Sequence, residues 1–134
     1  MNTRPLNPNK YCINKNRFRE LYYFCLQYQE WKDELEYLKP EYRETELSGM
    51  PGGGGISNPV QDMGIRRAEL SKRCELIEQT AIEADPDIYQ YIIKAVTNEK
   101  ITFKYLKMIM GIPCERDMYY DRRRRFYWLL SKKI

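Results

Sequence analysis

Four consecutive arginines, Arg122-Arg123-Arg124-Arg125, stand in the stretch DMYYDRRRRFYWLLSKK of a 134-residue chain. A guanidinium is planar, always charged and carries five N–H donors in a fork. It grips phosphate oxygens bidentately and fits the O6/N7 edge of guanine. The charge is local. Residues 101–134 hold nine Lys/Arg against Glu115, Asp117 and Asp121, a net +6, while residues 1–100 hold fourteen against sixteen acids, a net −2. Such asymmetry points to a nucleic-acid or membrane partner, with a solvated basic face as the plain alternative.

Other chemistries find less support. The chain has no histidine, so the Ser-His and Cys-His arrangements that need an imidazole base are excluded. Cys12, Cys25, Cys74 and Cys114 form no Cys-x-x-Cys pair, which argues against a structural zinc site. The run Ser48-Gly49-Met50-Pro51-Gly52-Gly53-Gly54-Gly55-Ile56-Ser57-Asn58-Pro59 suggests a phosphate-cradling loop at first sight. A P-loop needs a lysine after its last glycine, but Gly55 is followed by Ile56-Ser57 and no strand precedes the run. No paired carboxylates fall on a credible pocket. The expectation is a protein that is not an enzyme and uses no metal or cofactor.

Helices must position the arginines. Leu21, Cys25, Tyr28, Leu35 and Leu38 give one apolar stripe, and the spacing predicts a helix over 14–38 that Pro40 stops. Leu70, Cys74, Ile77, Ala81 and Ala84 step by four and three, predicting a helix over 62–84. The simplest arrangement packs the two as an antiparallel hairpin over 14–84, with the Gly/Pro-rich linker 39–61 as a flexible connection. Asp85-Pro86 then signals a helix start, with Ile88, Tyr91, Ile92 and Val96 on the buried face of a helix over 86–97. Thr102 can cap a short helix over 103–110, with Phe103, Leu106 and Ile109 or Met110 inward; Gly111 can stop it in the left-handed conformation. Ile112 turns inward, and a last helix runs from about Glu115 to Lys132.

A short helix, a glycine turn, an inward aliphatic residue and a second helix form the layout of a helix-turn-helix. The expected fold is therefore all-α: a long helical hairpin joined to a C-terminal tri-helical helix-turn-helix domain over 85–134. On the last helix, Tyr119, Arg122, Phe126, Leu129, Leu130 and Lys133 fall on one side, taken as the core. Arg122 on that stripe should pair with an acid inside the domain. Arg116, Tyr120, Arg123 and Arg124 are the expected groove-facing set. Arg125 suits a phosphate, and Lys104 and Lys107 could hold the backbone of double-stranded DNA. Tyr127 and Trp128 lie off the stripe and are candidates for packing on the hairpin, a second chain or RNA polymerase. Met50 and Pro51 give the glycine linker enough apolar character to dock on the hairpin or a partner.

Gly49, Met50, Pro51 and Gly52 with Ser57, Asn58 and Pro59, together with Gly111, Ile112, Pro113, Tyr120, Arg123, Arg124 and Phe126, form a spaced pattern. Over about 14–131 it resembles the RinA/ArpU group, small transcription regulators of phages and prophages in Gram-positive bacteria. The resemblance implies a C-terminal domain like the promoter-reading region four of sigma factors. It also implies activation of late genes. Two other readings stay open: a small-terminase-like DNA-packaging subunit, which would assemble as a ring, and a protein that binds no DNA and inhibits a host protein. No apolar run approaches the roughly 20 residues that span a bilayer, so no membrane association and a cytoplasmic location in the bacterial host are expected.

Overall fold

The computed structural model describes residues 11–38 and 59–134, and the described residues are all-α, with no strand among them. The elements are α1 (Lys15–Leu26), α2 (Tyr28–Tyr37), α3 (Pro59–Ala84), α4 (Tyr89–Val96), the single turn α5 (Phe103–Tyr105) continued by a π-helical segment (Leu106–Met110), and α6 (Arg116–Ser131). No helix among them is long and apolar enough to cross a membrane. Met50, Pro51 and the rest of the glycine-rich stretch through Asn58 lie outside the described residues.

The described residues divide into two compact units, 11–27 with 76–134, and 28–75. The division thus falls at 27/28 and 75/76, where the sequence pattern suggested 84/85. The single helix expected over 14–38 is interrupted at Gln27, a turn residue whose N–H donates to Phe24 at 3.3 Å. The reason lies in what each half packs on. α1 packs on α4 and α6, so it belongs with the C-terminal helices and is not one arm of the expected hairpin. α4 packs on α6 as well.

The hairpin survives in the second unit, between α2 and the first part of α3. The Arg73 guanidinium sits 5.4 Å from the Trp31 ring centroid, and Arg66 Nε donates to Glu34 at 2.7 Å. Position rises along one helix as it falls along the other, so the two run antiparallel. Trp31 is buried, as are Leu70 and Cys74. The Arg66 hydrogen bond holds the exposed Glu34 carboxyl below its usual range, but such a surface pair stabilises little.

In the first unit, local signals act as their chemistry requires. Asp85 Oδ1 accepts from the backbone N–H groups of Asp87 (2.8 Å) and Ile88 (3.3 Å), so it caps the turn that leads into α4. Pro86 lies in that turn, and α4 itself begins at Tyr89, three residues later than the sequence suggests. Thr102 Oγ1 accepts from Tyr105 N–H at 3.2 Å, capping α5. Gly111 stands at φ +71°, ψ 40°, the left-handed stop. Ile112 is 1% exposed, and Leu106, Ile92 and Val96 are fully buried.

The π segment decides which side chains reach this core. The N–H groups of both Gly111 and Ile112 donate to Leu106 O, the latter at 2.9 Å. A turn widened in this way brings Met110, four residues on, back beneath Leu106 and carries Ile109 outward. Ile109 is accordingly 69% exposed, and Met110, only partly exposed, takes the inward place.

Gly111 gives a direct test. A Cβ built there meets no atom within 4 Å, so the cost of Gly111→Ala is that of the left-handed backbone alone, about 1–2 kcal/mol. The melting temperature should fall by about 4–8 °C. Gly64→Ala, inside α3 and equally free of neighbours, should be neutral or stabilising by about 1 kcal/mol.

Candidate nucleic-acid interface

α6 carries five arginines against two aspartates. Two elements pack on it, so its arginines do not share one environment. Tyr119, Phe126, Tyr127 and Leu130 are its buried residues. Phe18 of α1 meets Tyr127 edge-on with ring centroids 4.9 Å apart. Tyr11 lies 5.7 Å from Trp128, and Arg17 Nη2 donates to Ser131 O at 3.1 Å and also to Ile134 O.

Tyr127 is 1% exposed, and Trp128 is only partly exposed, with the Lys132 ammonium 4.4 Å above its ring. Tyr127 is therefore not an exposed contact residue. Tyr127 packs on Phe18, within the 14–38 segment expected as the first arm of the hairpin, and Trp128 packs on Tyr11 just before it. The Tyr127 hydroxyl has no hydrogen-bond partner among the described residues.

Arg123 needs the same correction. Together with Tyr119, Phe126, Tyr127 and Leu130 it follows helical spacing, so it lies within the packed stripe and not opposite it. Its guanidinium is 5.4 Å from the Tyr127 ring centroid. Burial pushes the Cys25 thiol and the Tyr119 hydroxyl each up to about 12, and the Arg123 charge only partly offsets this. Cys25 therefore stays protonated at neutral pH, which deprives it of thiolate reactivity. The signal in the sequence was an arginine four residues after Tyr119 and four before Tyr127.

Arg122 is held as an internal partner. Its Nε donates to Asp85 Oδ2 at 3.0 Å and its Nη1 to Asp121 Oδ2 at 2.6 Å. Asp85 is 6% exposed, so one carboxylate both caps the approach to α4 and fixes that helix to α6. Asp121 orients Arg122, the role for which an acid among arginines is suited.

The remaining candidates separate. Arg116 is exposed at the start of α6, with its guanidinium 5.7 Å from the centroid of the Tyr120 ring. Tyr120 is partly exposed, its ring 4.9 Å from that of Tyr119 and 6.5 Å from that of Phe103. Lys107 Nζ donates to Cys114 O at 3.2 Å and lies 3.4 Å from Glu115 Oε1, so it braces the turn and is not free for a phosphate. Lys104 is exposed on α5. Arg124 and Arg125 are partly exposed and have no ion-pair or hydrogen-bond partner among the described residues. Among those residues no group of three or more His, Cys, Asp or Glu is placed to hold a metal ion.

These features define an all-α chain whose last helix is anchored on two sides and keeps part of its basic surface uncommitted. Compared with known proteins, the chain matches no family model, no curated protein and no solved structure.

Proposed function

We propose that the chain binds duplex DNA through α6, as a transcriptional regulator of a phage or prophage. The observation that carries this reading is the left-handed Gly111 turn with buried Ile112, followed by a helix on which Arg124 and Arg125 have no partner among the described residues. A short helix, a tight turn and a basic helix anchored from behind suit a helix-turn-helix, whose second helix enters the major groove. Two of the five α6 arginines serve the fold. The contacts to DNA fall to Arg124 and Arg125, with Arg116 and Tyr120 toward the start of the helix. The resemblance of the Gly111-Ile112-Pro113 turn and its following tyrosines and arginines to the RinA/ArpU group agrees with this reading. On it, the chain acts in the bacterial cytoplasm on late-gene promoters, with host RNA polymerase as a further partner.

The test is duplex binding by the Arg124→Ala/Arg125→Ala variant. Affinity should fall at least about tenfold, and the slope of log K against log salt should shrink by about two, one for each lost phosphate contact. The melting temperature should stay within about 2 °C of the parent, because neither side chain braces the fold. Unchanged affinity with an unchanged salt slope contradicts the assignment.

A further inference from the structure

α6 begins with an arginine that its neighbours hold in place. Arg116 is exposed in the first turn, and its guanidinium lies 5.7 Å from the centroid of the Tyr120 ring. Tyr120 is held in turn. Its ring meets that of Tyr119 at 4.9 Å and that of Phe103 at 6.5 Å. Phe103 lies 5.4 Å from Tyr119, which is 2% exposed. Three rings thus connect the Arg116 side chain to the packed joint between α5 and α6. The charge stays available. Glu115, the acid beside Arg116, pairs with Lys107 at 3.4 Å. Arg116 itself has no ion-pair or hydrogen-bond partner among the described residues.

Arg124 and Arg125 differ. No ion pair, hydrogen bond or ring contact among the described residues orients either one. An unoriented cation suits a phosphate, which it can meet from many directions. Reading a base edge needs the planar fork in one orientation. Ordering a long side chain in advance removes that entropy cost from binding. The spacing agrees. Arg116, Tyr120 and Arg124 stand at i, i+4 and i+8, along one side of α6. Eight residues rise about 12 Å, which is about the width of the major groove. A helix that starts at the base edges therefore carries Arg124 and Arg125 to the phosphates bordering the groove.

We propose that Arg116 reads a guanine in the bound duplex through its O6/N7 edge, and that Tyr120 is the positioning residue that holds the guanidinium for it. The proposal rests on the reading of α6 as a DNA-binding helix and adds a division of labour to it. Specificity lies at the start of the helix, and affinity in its middle.

The test selects duplexes from a randomised pool with the parent, then compares the winning duplex with its single-base-pair replacements. At one position the parent should prefer guanine by about tenfold or more. Arg116→Lys keeps the charge and loses the fork. It should lose that preference alone, with the other positions and the salt slope unchanged. Tyr120→Leu should lose most of the preference, and Tyr120→Phe, which keeps the ring, should retain it. Arg124→Ala/Arg125→Ala should bind every duplex more weakly with the preference intact. A fold defect lowers affinity for all duplexes alike, so the ratio between duplexes reads the contact itself. Arg116→Lys that weakens all duplexes equally overturns the proposal. So does Tyr120→Leu with full preference, or Tyr120→Phe without it. A parent that binds duplexes with no guanine preference overturns it and leaves DNA binding through α6 standing. A parent that binds no duplex overturns both.

Discussion

Tyr127→Ala is expected to destabilise the protein by about 4 kcal/mol, whereas Tyr127→Phe should leave stability unchanged or raise it by about 1 kcal/mol. The ring is 1% exposed and packs against Phe18 and Phe126, with centroid separations of 4.9 and 5.2 Å. Truncation removes that contact and opens a cavity between α1 and α6. The hydroxyl behaves differently. It is buried and has no hydrogen-bond partner among the described residues, and burial pushes its ionisation far upward. Removing it deletes a polar group that folding desolvates without return. Urea unfolding of both variants checks the pair, with a drop in melting temperature of about 15 °C for the alanine variant. A Tyr127→Ala protein as stable as the parent would return Tyr127 to the surface.

Asp85→Ala should cost about 3 kcal/mol, and Asp85→Asn only about 1 kcal/mol. The carboxylate has two tasks. Oδ1 caps the N–H groups of Asp87 and Ile88, and Oδ2 accepts from Arg122. Alanine loses both and leaves a part-buried guanidinium with Asp121 alone. Asparagine keeps an acceptor for the cap and loses the charge. The ordering of the two variants is the informative result, because a carboxylate that only capped would make asparagine equal to the parent. Arg122→Ala should resemble Asp85→Asn in size, and the double variant Asp85→Asn/Arg122→Ala should fall short of the sum of the two, since both remove the same bond.

The parts of this structure legible in the sequence are those fixed within a few residues. Asp85 had to cap whatever follows it, Thr102 is a cap residue before an apolar repeat, and Gly111 is the residue type for a left-handed stop. Each was read in place because its partner lies two to four residues away or in its own backbone. Arg122 was also legible, as a charge on an apolar stripe that needed an acid. What escaped depends on contacts distant in sequence. Gln27 is neither proline nor glycine, and the break there follows from α1 packing on α4 and α6. That packing also makes α6 a helix with two covered faces. An apolar stripe drawn for one covered face misplaces Tyr127 and Arg123. Between Ile109 and Met110, both open as the inward residue, the choice of Met110 required the π geometry, which no residue type announces. At the candidate interface, the sequence carries the helix and its charge, and the structure separates the arginines that contact groups within the chain from Arg124 and Arg125, which have no ion-pair or hydrogen-bond partner among the described residues.

On the proposed function, Arg124 and Arg125 serve an anion outside the chain, while Arg122 pairs with Asp85 and Asp121 and Arg123 lies over the Tyr127 ring. This division is tested most directly by titrating a selected duplex against the parent, Arg124→Ala/Arg125→Ala and Arg123→Ala proteins between about 50 and 200 mM salt. The expected result is tight, steeply salt-dependent binding by the parent. The Arg124→Ala/Arg125→Ala variant should bind weakly and with a shallower slope. The Arg123→Ala protein should keep the parent slope but melt at a lower temperature. A parent protein that selects no duplex and binds none at the lowest salt contradicts DNA binding through α6. An Arg123→Ala protein that loses the salt slope while keeping its stability contradicts the role given to Arg123.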